Sequence, residues 1–209
     1  MTICASQPLL LASRSPRRQQ LLGQLGIPLV VVPVEVDESV RAGEQADPYL
    51  ERVVSAKLEG ACGLDEVGQC AAVLVADTSV LIDGEILGKP QDDAEGRAMI
   101  TRLAGREHVV ATRFAVASYT DGRQTVIAKT VRTRVVFRKL SAEEIAQYVA
   151  SGEGRDKAGS YGIQKVGAFL VLRVEGSYSN VVGLPLAELT ESLQGAGLLG
   201  PLPLSAEPV

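Results

Sequence analysis

Asp77 stands at the end of the apolar run Ala71 to Ala76, in VADTSV. A carboxylate at the end of a buried strand is costly unless it is paired, protonated or bound to a cation. Asp37 and Glu38, in VEVDESV, lie just past another extended apolar stretch. Paired acids there suit a hard divalent cation, which takes oxygen ligands and keeps several waters. The stretch SRSPRR, Ser13 to Arg18, packs three arginines, two hydroxyls and a proline into six residues. A helix that starts at Pro16 with Ser15 as its N-cap puts Arg14, Arg17 and Arg18 against the macrodipole. An anion at that terminus would reverse the cost, because amides, dipole and guanidinium groups would all face it.

The stretch GEGRDKAGSYGIQKVG sets Gly152, Gly154, Gly159, Gly162 and Gly167 among Asp156, Lys157 and Gln164. Glycines let backbone amides approach a ligand closely, and lysine supplies a point charge for phosphate. Lys57 and Lys89 are placed to reach the same cleft. A polyphosphate with a divalent cation would satisfy the arginines, the lysines and the acids at once. Each feature alone also has a bland reading: a hairpin-edge aspartate, a solvated acidic loop, a glycine-rich corner, an exposed lysine. Neither a Walker A nor a Rossmann fingerprint is present.

Strand-like and helix-like segments alternate, which predicts an α/β fold. PLLLAS is a short apolar strand, followed by a helix that Gly26 stops. IPLVVVPVEV is extended, and DPYLERVVSAKLEGAC is a helix with Asp47 as N-cap. AAVLVADTSVLIDGEILGK reads as two strands joined at Asp83-Gly84, a strong hairpin signal. Asp92 with Glu95, and Ser141 with Glu144, mark two further helix starts in capping-box spacing. Between them a long hairpin turns at Asp121-Gly122, with Arg132, Arg134 and Arg138 on its wet face. AFLVLRVEG is a strand and LPLAELTESLQGAG a last helix. One domain is expected over residues 1–197, with 198–209 a loose tail.

The 209 residues, 46% of them hydrophobic, suffice for one substantial core of one or two lobes. A net charge of −4 gives no support for a face that holds long nucleic acid. Three scattered cysteines without a CxxC pair argue against a disulfide framework or a zinc site and for a reducing cytosol. The single histidine, His108, excludes a multi-histidine metal site. No apolar run approaches a membrane span, and the opening MTICASQPLLLAS lacks the basic region of a signal peptide.

LASRSPRRQQLL, VDE, the lysine in the second helix, ADTSVLIDGEILGKP, LAGREHVVAT, YVASGEGRDKAGSYGIQ and GSYSNVVGLPL occur in this order. Together they resemble the Maf family of nucleoside triphosphate pyrophosphatases, from about Leu9 to the helix after Pro185. The resemblance implies a single α/β domain whose two lobes flank a deep cleft on an elongated mixed sheet, similar to inosine triphosphate pyrophosphatases. It implies hydrolysis of a nucleoside triphosphate between the α- and β-phosphates, with Mg²⁺ or Mn²⁺. It further implies a cytoplasmic protein, often a homodimer. Carried over by position, Asp77 matches the catalytic base. Ser13, Arg17, Glu38, Lys57, Lys89, Asp156 and Lys157 match cleft residues, and Arg17, Thr78 and Gln164 match positions linked to substrate choice. Glu38 and Asp77 are the expected metal ligands, and which of the two takes the proton stays open.

Within that family, Arg17 and the YGIQ after AGS resemble the dTTP/UTP enzymes. Relatives that act on 7-methyl-GTP carry tryptophan in place of Arg17. Lys165 stands where glycine is usual, and Arg113 where a small residue is usual. The resemblance also leaves a rival: family members were first linked to arrest of septum formation, so the chain would bind nucleotide as a sensor without catalysis. A 7-methyl-GTP pyrophosphatase is the other alternative. Nucleic-acid binding by SRSPRR would gain little counterion release from one short cluster.

Overall fold

The computed structural model describes residues 2–120 and 123–202. Its frame is a mixed seven-stranded sheet made of β1 (Leu9–Leu11), β2 (Leu29–Val31), β3 (Ala72–Ile82), β4 (Glu85–Leu87), β5 (Glu107–Thr120), β6 (Arg123–Phe137) and β7 (Val171–Glu175). The order is β2-β1-β3-β5-β6-β7, with β4 also on β3. β1 runs parallel to β2 and β3, and the other pairs are antiparallel. The helices are α1 (Pro16–Gly23), α2 (Ala46–Cys62), α3 (Asp93–Leu103), α4 (Ala142–Ala150), α5 (Tyr178–Val182) and α6 (Leu186–Gly195). The chain is thus a mixed α/β domain.

The unbroken apolar run in β1 is explained by burial on both faces, as parallel strands require. Leu9 and Leu11, with Leu74 and Ala76 of β3, pack against Leu21 and Leu22 of α1 and Leu189 and Leu193 of α6. Leu10, Val73 and Val75 face the other way, onto Val54, Leu58 and Ala61 of α2. A third cluster lies farther along the sheet, where Val80, Val110, Val135 and Phe137 meet Met99 and Ile100 of α3 and Ile145 and Val149 of α4. The first two clusters make one lobe and the third makes the second.

Local signals place most element ends. Asp83 and Gly84 both adopt positive φ, 54° and 78°, as a two-residue hairpin turn demands. Asp92 accepts from the Glu95 amide at 2.8 Å. Ser141 and Glu144 form the complete reciprocal cap. One expected cap holds in position and one is corrected. Ser15 occupies the N-cap of α1, with Pro16 after it, but its side chain makes no capping hydrogen bond; its amide donates to the Ser13 hydroxyl at 3.2 Å. Asp47 lies inside the first turn of α2, whose cap position is Gln45.

Lys165–Leu170 forms a 3-10 turn before β7, so the strand starts at Val171 rather than Ala168. The Asp121-Gly122 turn lies outside the described residues. The tail reading fails for its first residues: Leu198 and Leu199 are buried, and the Ile3 amide donates to the Leu198 carbonyl at 2.8 Å. Leu198 and Leu199 belong to the same cluster as α6, and residues 203–209 lie outside the described part. Among the described residues no helix is long and apolar enough to cross a membrane.

His108 sits inside the second lobe, edge-on to the rings of Phe137 and Tyr161, with Nε2 2.8 Å from the Tyr161 hydroxyl. Nδ1 has no partner among the described residues. Burial pushes the imidazole from 6.5 down to about 4. Between those values the unfolded chain binds a proton that the native chain does not, so stability falls as pH falls through that window. The loss should approach about 3 kcal/mol by pH 4. Urea unfolding at pH 7.5 and pH 5 measures it, and His108→Gln should flatten the difference. The sole imidazole resonance in the NMR spectrum should titrate near pH 4. A midpoint near 6.5 would contradict the burial.

Candidate active site

β5 occupies one edge of β3 from Ala72 to Leu81. On the other edge β1 pairs only with residues 72–74 and β4 only with 80–82. Residues 75–79 therefore have no strand on that edge. A cleft of about 860 Å³ opens there between the lobes. Asp77 is placed in the middle of β3, at this gap, rather than at a strand end as the apolar run suggested.

On one side of the gap, Lys57 of α2 reaches in with its side chain only 8% exposed. Its ammonium lies 2.7 Å from Asp77 Oδ1 and 2.6 Å from Glu38 Oε1. Lys89, just after β4, donates to Glu38 Oε2 at 2.9 Å. Partial burial tends to raise the Glu38 pKa, but the two lysines outweigh it and bring it down to about 2. The Tyr49 hydroxyl of α2 holds the Glu38 carbonyl at 3.1 Å. Of the acidic pair expected near here, only Glu38 enters the cleft. Asp37 is exposed and accepts from the Ser39 amide in an Asx turn.

On the other side lies Arg18, which the sequence reading grouped with Arg14 and Arg17 as facing an anion at the helix start. Its guanidinium is buried and donates to Gly183 O at 2.8 Å, Ala76 O at 2.9 Å, Ser13 Oγ at 3.1 Å and Thr78 Oγ1 at 3.1 Å. It thereby ties the loop before α1, the residues flanking Asp77 and the end of α5 together. Thr78 and Ser13 line the cleft, but their hydroxyls are engaged in this network. Thr78 Oγ1 also meets Thr112 Oγ1 at 2.9 Å. The positive helix start is thus relieved in three different ways. Arg18 turns inward, Arg17 pairs with Asp156 at 3.0 Å, and Arg14 pairs with Glu35.

The segment 152–167 forms the far wall. Its glycines serve the loop itself. A Cβ on Gly154 would lie 1.9 Å from the Ser160 carbonyl oxygen, and one on Gly167 would lie 2.0 Å from that of Gly162. The amides of Gly152, Gly159, Gly162 and Gly167 donate to the Val149 carbonyl, the Gly88 carbonyl, the Tyr148 hydroxyl and the Glu153 carboxylate, so these four do not face a ligand as expected. The Glu153 carboxylate ties the loop ends by accepting from the Gly167 and Val166 amides at 2.9 and 3.0 Å. Lys157 pairs with Asp156 and donates to the Glu153 carbonyl. Burial raises the Asp156 pKa, but Lys157 and Arg17 bring the net shift downward. Gln164 lines the cleft half-buried, and its side chain does not cap the turn after it.

All ten sequence-expected site residues line one cleft: Ser13, Arg17, Glu38, Lys57, Asp77, Thr78, Lys89, Asp156, Lys157 and Gln164. Arg18 bonds protein oxygens rather than the anion expected at the helix start, and only tertiary packing separates its role from that of Arg17 beside it. Arg113 is opposite Asp77 in the β3–β5 register and half-buried, bonded to Thr130 at 3.0 Å. No group of three or more metal-type side chains occurs among the described residues. The oxygen donors are Glu38 and Asp77, already drawn to one cation between them. Two carboxylates suit an ion of the magnesium type, which completes its shell from phosphates and water rather than from a full protein cage.

A family model described as Maf-like protein matches residues 8–196. A protein of Methylobacillus flagellatus named dTTP/UTP pyrophosphatase is 47% identical over 195 residues, 91% of this chain and 94% of that protein. One of Myxococcus xanthus with the same name is 48% identical over 198 residues, covering 95% and 96%. One of Citrifermentans bemidjiense, also so named, is 43% identical over 192 residues, covering 92% and 97%.

Arg18→Met should remove the four donors while keeping an unbranched apolar stem. Buried acceptors at Ala76 and Gly183 would then lack partners, at a cost of about 3 kcal/mol. The urea unfolding midpoint reports that loss. An unchanged midpoint would show that water replaces the guanidinium at no cost.

Proposed function

The chain belongs to the Maf family, and on that premise we propose that it is a nucleoside triphosphate pyrophosphatase that hydrolyses dTTP and UTP to the monophosphate and pyrophosphate. The observation that carries the reading is the convergence of Glu38, Lys57 and Asp77 at the gap in β3, in a cleft walled by further cations. The relatives' shared name supports the substrate class.

Arg17, Lys57, Lys89 and Lys157 hold the triphosphate and offset charge that builds on its oxygens during attack at phosphorus. Asp77 orients the attacking water and accepts its proton. Two lysines on Glu38 against one on Asp77 favour Glu38 as the cation ligand and Asp77 as the proton acceptor. A carboxylate whose pKa is about 2, as for Glu38, is a weak proton acceptor and a good cation ligand. Glu38 and Asp77 would hold Mg²⁺ or Mn²⁺ with the phosphates. The ion would neutralise charge on the phosphates and make a bound water more acidic. Gln164 reads the base, its amide accepting from N3–H and donating to O4 of uracil or thymine. Cytosine reverses that pattern and leaves polar groups mismatched. The free cysteines support a reducing, cytoplasmic setting. A homodimer is proposed on the resemblance alone, and sedimentation in solution tests it.

The test is pyrophosphate release from dTTP, UTP, CTP, GTP and 7-methyl-GTP with Mg²⁺ or Mn²⁺. dTTP and UTP should turn over fastest, and chelation should stop the reaction until metal is restored. Asp77→Asn should lower kcat by about a hundredfold or more. Binding without release from any nucleotide would favour a sensor, and release from 7-methyl-GTP alone would overturn the base assignment.

A further inference from the structure

Among the described residues three non-glycine residues have positive φ: Asp83, Ser160 and Lys165. Asp83 is explained by the two-residue hairpin turn. Ser160 follows Gly159, itself at positive φ, and its carbonyl packs against Gly154. Lys165, at φ 51°, has no such local reason. A long side chain is strained in this region, where glycine is not. Backbone strain that persists is a pointer to function when it lies at a site.

Lys165 lies at the site. It is exposed, lines the cleft and follows Gln164 directly. The other cations of the cleft are engaged: Arg17 and Lys157 with Asp156, Lys57 and Lys89 with Glu38, and Arg18 with neutral oxygens. Lys165 makes no ion pair among the described residues. It is therefore the uncommitted cation of the wall, and it stands beside the residue that reads the base rather than among those that hold phosphate.

We propose that Lys165 is a specificity-determining residue that selects uracil nucleotides bearing an anionic substituent, such as a carboxylate, on the edge of the ring. This rests on the reading of Gln164 as the base-recognition residue. The ammonium is a flexible point charge with three donors, suited to a substituent whose position varies slightly. The bound base excludes part of the water around it, which strengthens the pair relative to one on an open surface.

The experiment is calorimetric binding of UTP and 5-carboxy-UTP without divalent metal, so that affinity is measured apart from turnover. Wild type should prefer 5-carboxy-UTP by about fivefold to tenfold. Lys165→Gln, which keeps length and polarity, should abolish that preference and leave UTP within about twofold, given the mostly exposed site. Lys165→Arg should retain the preference. Equal affinity for the two nucleotides in wild type would overturn the proposal, as would a preference that survives Lys165→Gln. Equal weakening of both in Lys165→Gln would place the ammonium on phosphate and overturn it too. If wild type binds with the expected preference yet releases no pyrophosphate from UTP when Mg²⁺ is added, the reaction fails while the selection by Lys165 stands.

Discussion

A strand in the middle of a sheet that lacks a neighbour along five residues leaves carbonyl and amide groups bare in the interior, and such groups are costly unless something else bonds them. In this fold the guanidinium of Arg18 supplies the bond to Ala76 O, inside the stretch of β3 that neither β1 nor β4 covers. The same group fixes Thr78, Ser13 and Gly183. The gap can therefore stay open without unravelling, and Asp77 lines the cleft from a strand that is otherwise mostly core. Burial pulls the Arg18 pKa down, and the charge of Asp77 acts against that pull. Site and scaffold are held by one side chain.

Across the gap the balance is ionic. Two carboxylates and two ammonium groups, Glu38, Asp77, Lys57 and Lys89, alternate within hydrogen-bond distance. Breaking such a set by removing one member leaves a charge without a partner, which costs more than the set contributes. The asymmetry within it matters for chemistry. Glu38 answers to two lysines and Asp77 to one, so the two acids are not equivalent although their types are nearly the same.

Much of this was legible in the sequence. The α/β alternation, the Asp83-Gly84 turn and the caps at Asp92 and Ser141 are local signals with local causes. The site residues were legible because charged side chains beside apolar runs are conspicuous, and because their order resembles one family. What escaped has non-local causes. Ser15 stands at the N-cap as expected, yet its hydroxyl leaves the helix amides unbonded. Asp47 looks like a cap, but α2 starts two residues earlier than that cap implies, at Ala46. Leu198 and Leu199 carry no periodicity, and only the hydrophobic surface of α6 and the N-terminal strand gives them a place. Arg17 and Arg18 are identical letters with opposite fates. The glycines of the 152–167 loop were assigned to a ligand because sequence cannot distinguish a close approach to a ligand from one between two turns of the same loop.

Four cations that line the cleft already hold carboxylates of the chain: Arg17 and Lys157 share Asp156, and Lys57 and Lys89 share Glu38. An anion that binds to any of these four must compete with the resident acids. A singly bound anion, such as inorganic phosphate or chloride, gains one cation while leaving an acid without its partner, so its net gain is small. A chain of linked phosphates engages several cations through one binding event, and each contact after the first is intramolecular. The resident carboxylates thus work as a threshold. They keep the cleft clear of the abundant small anions that surround it and admit ligands whose charges are joined.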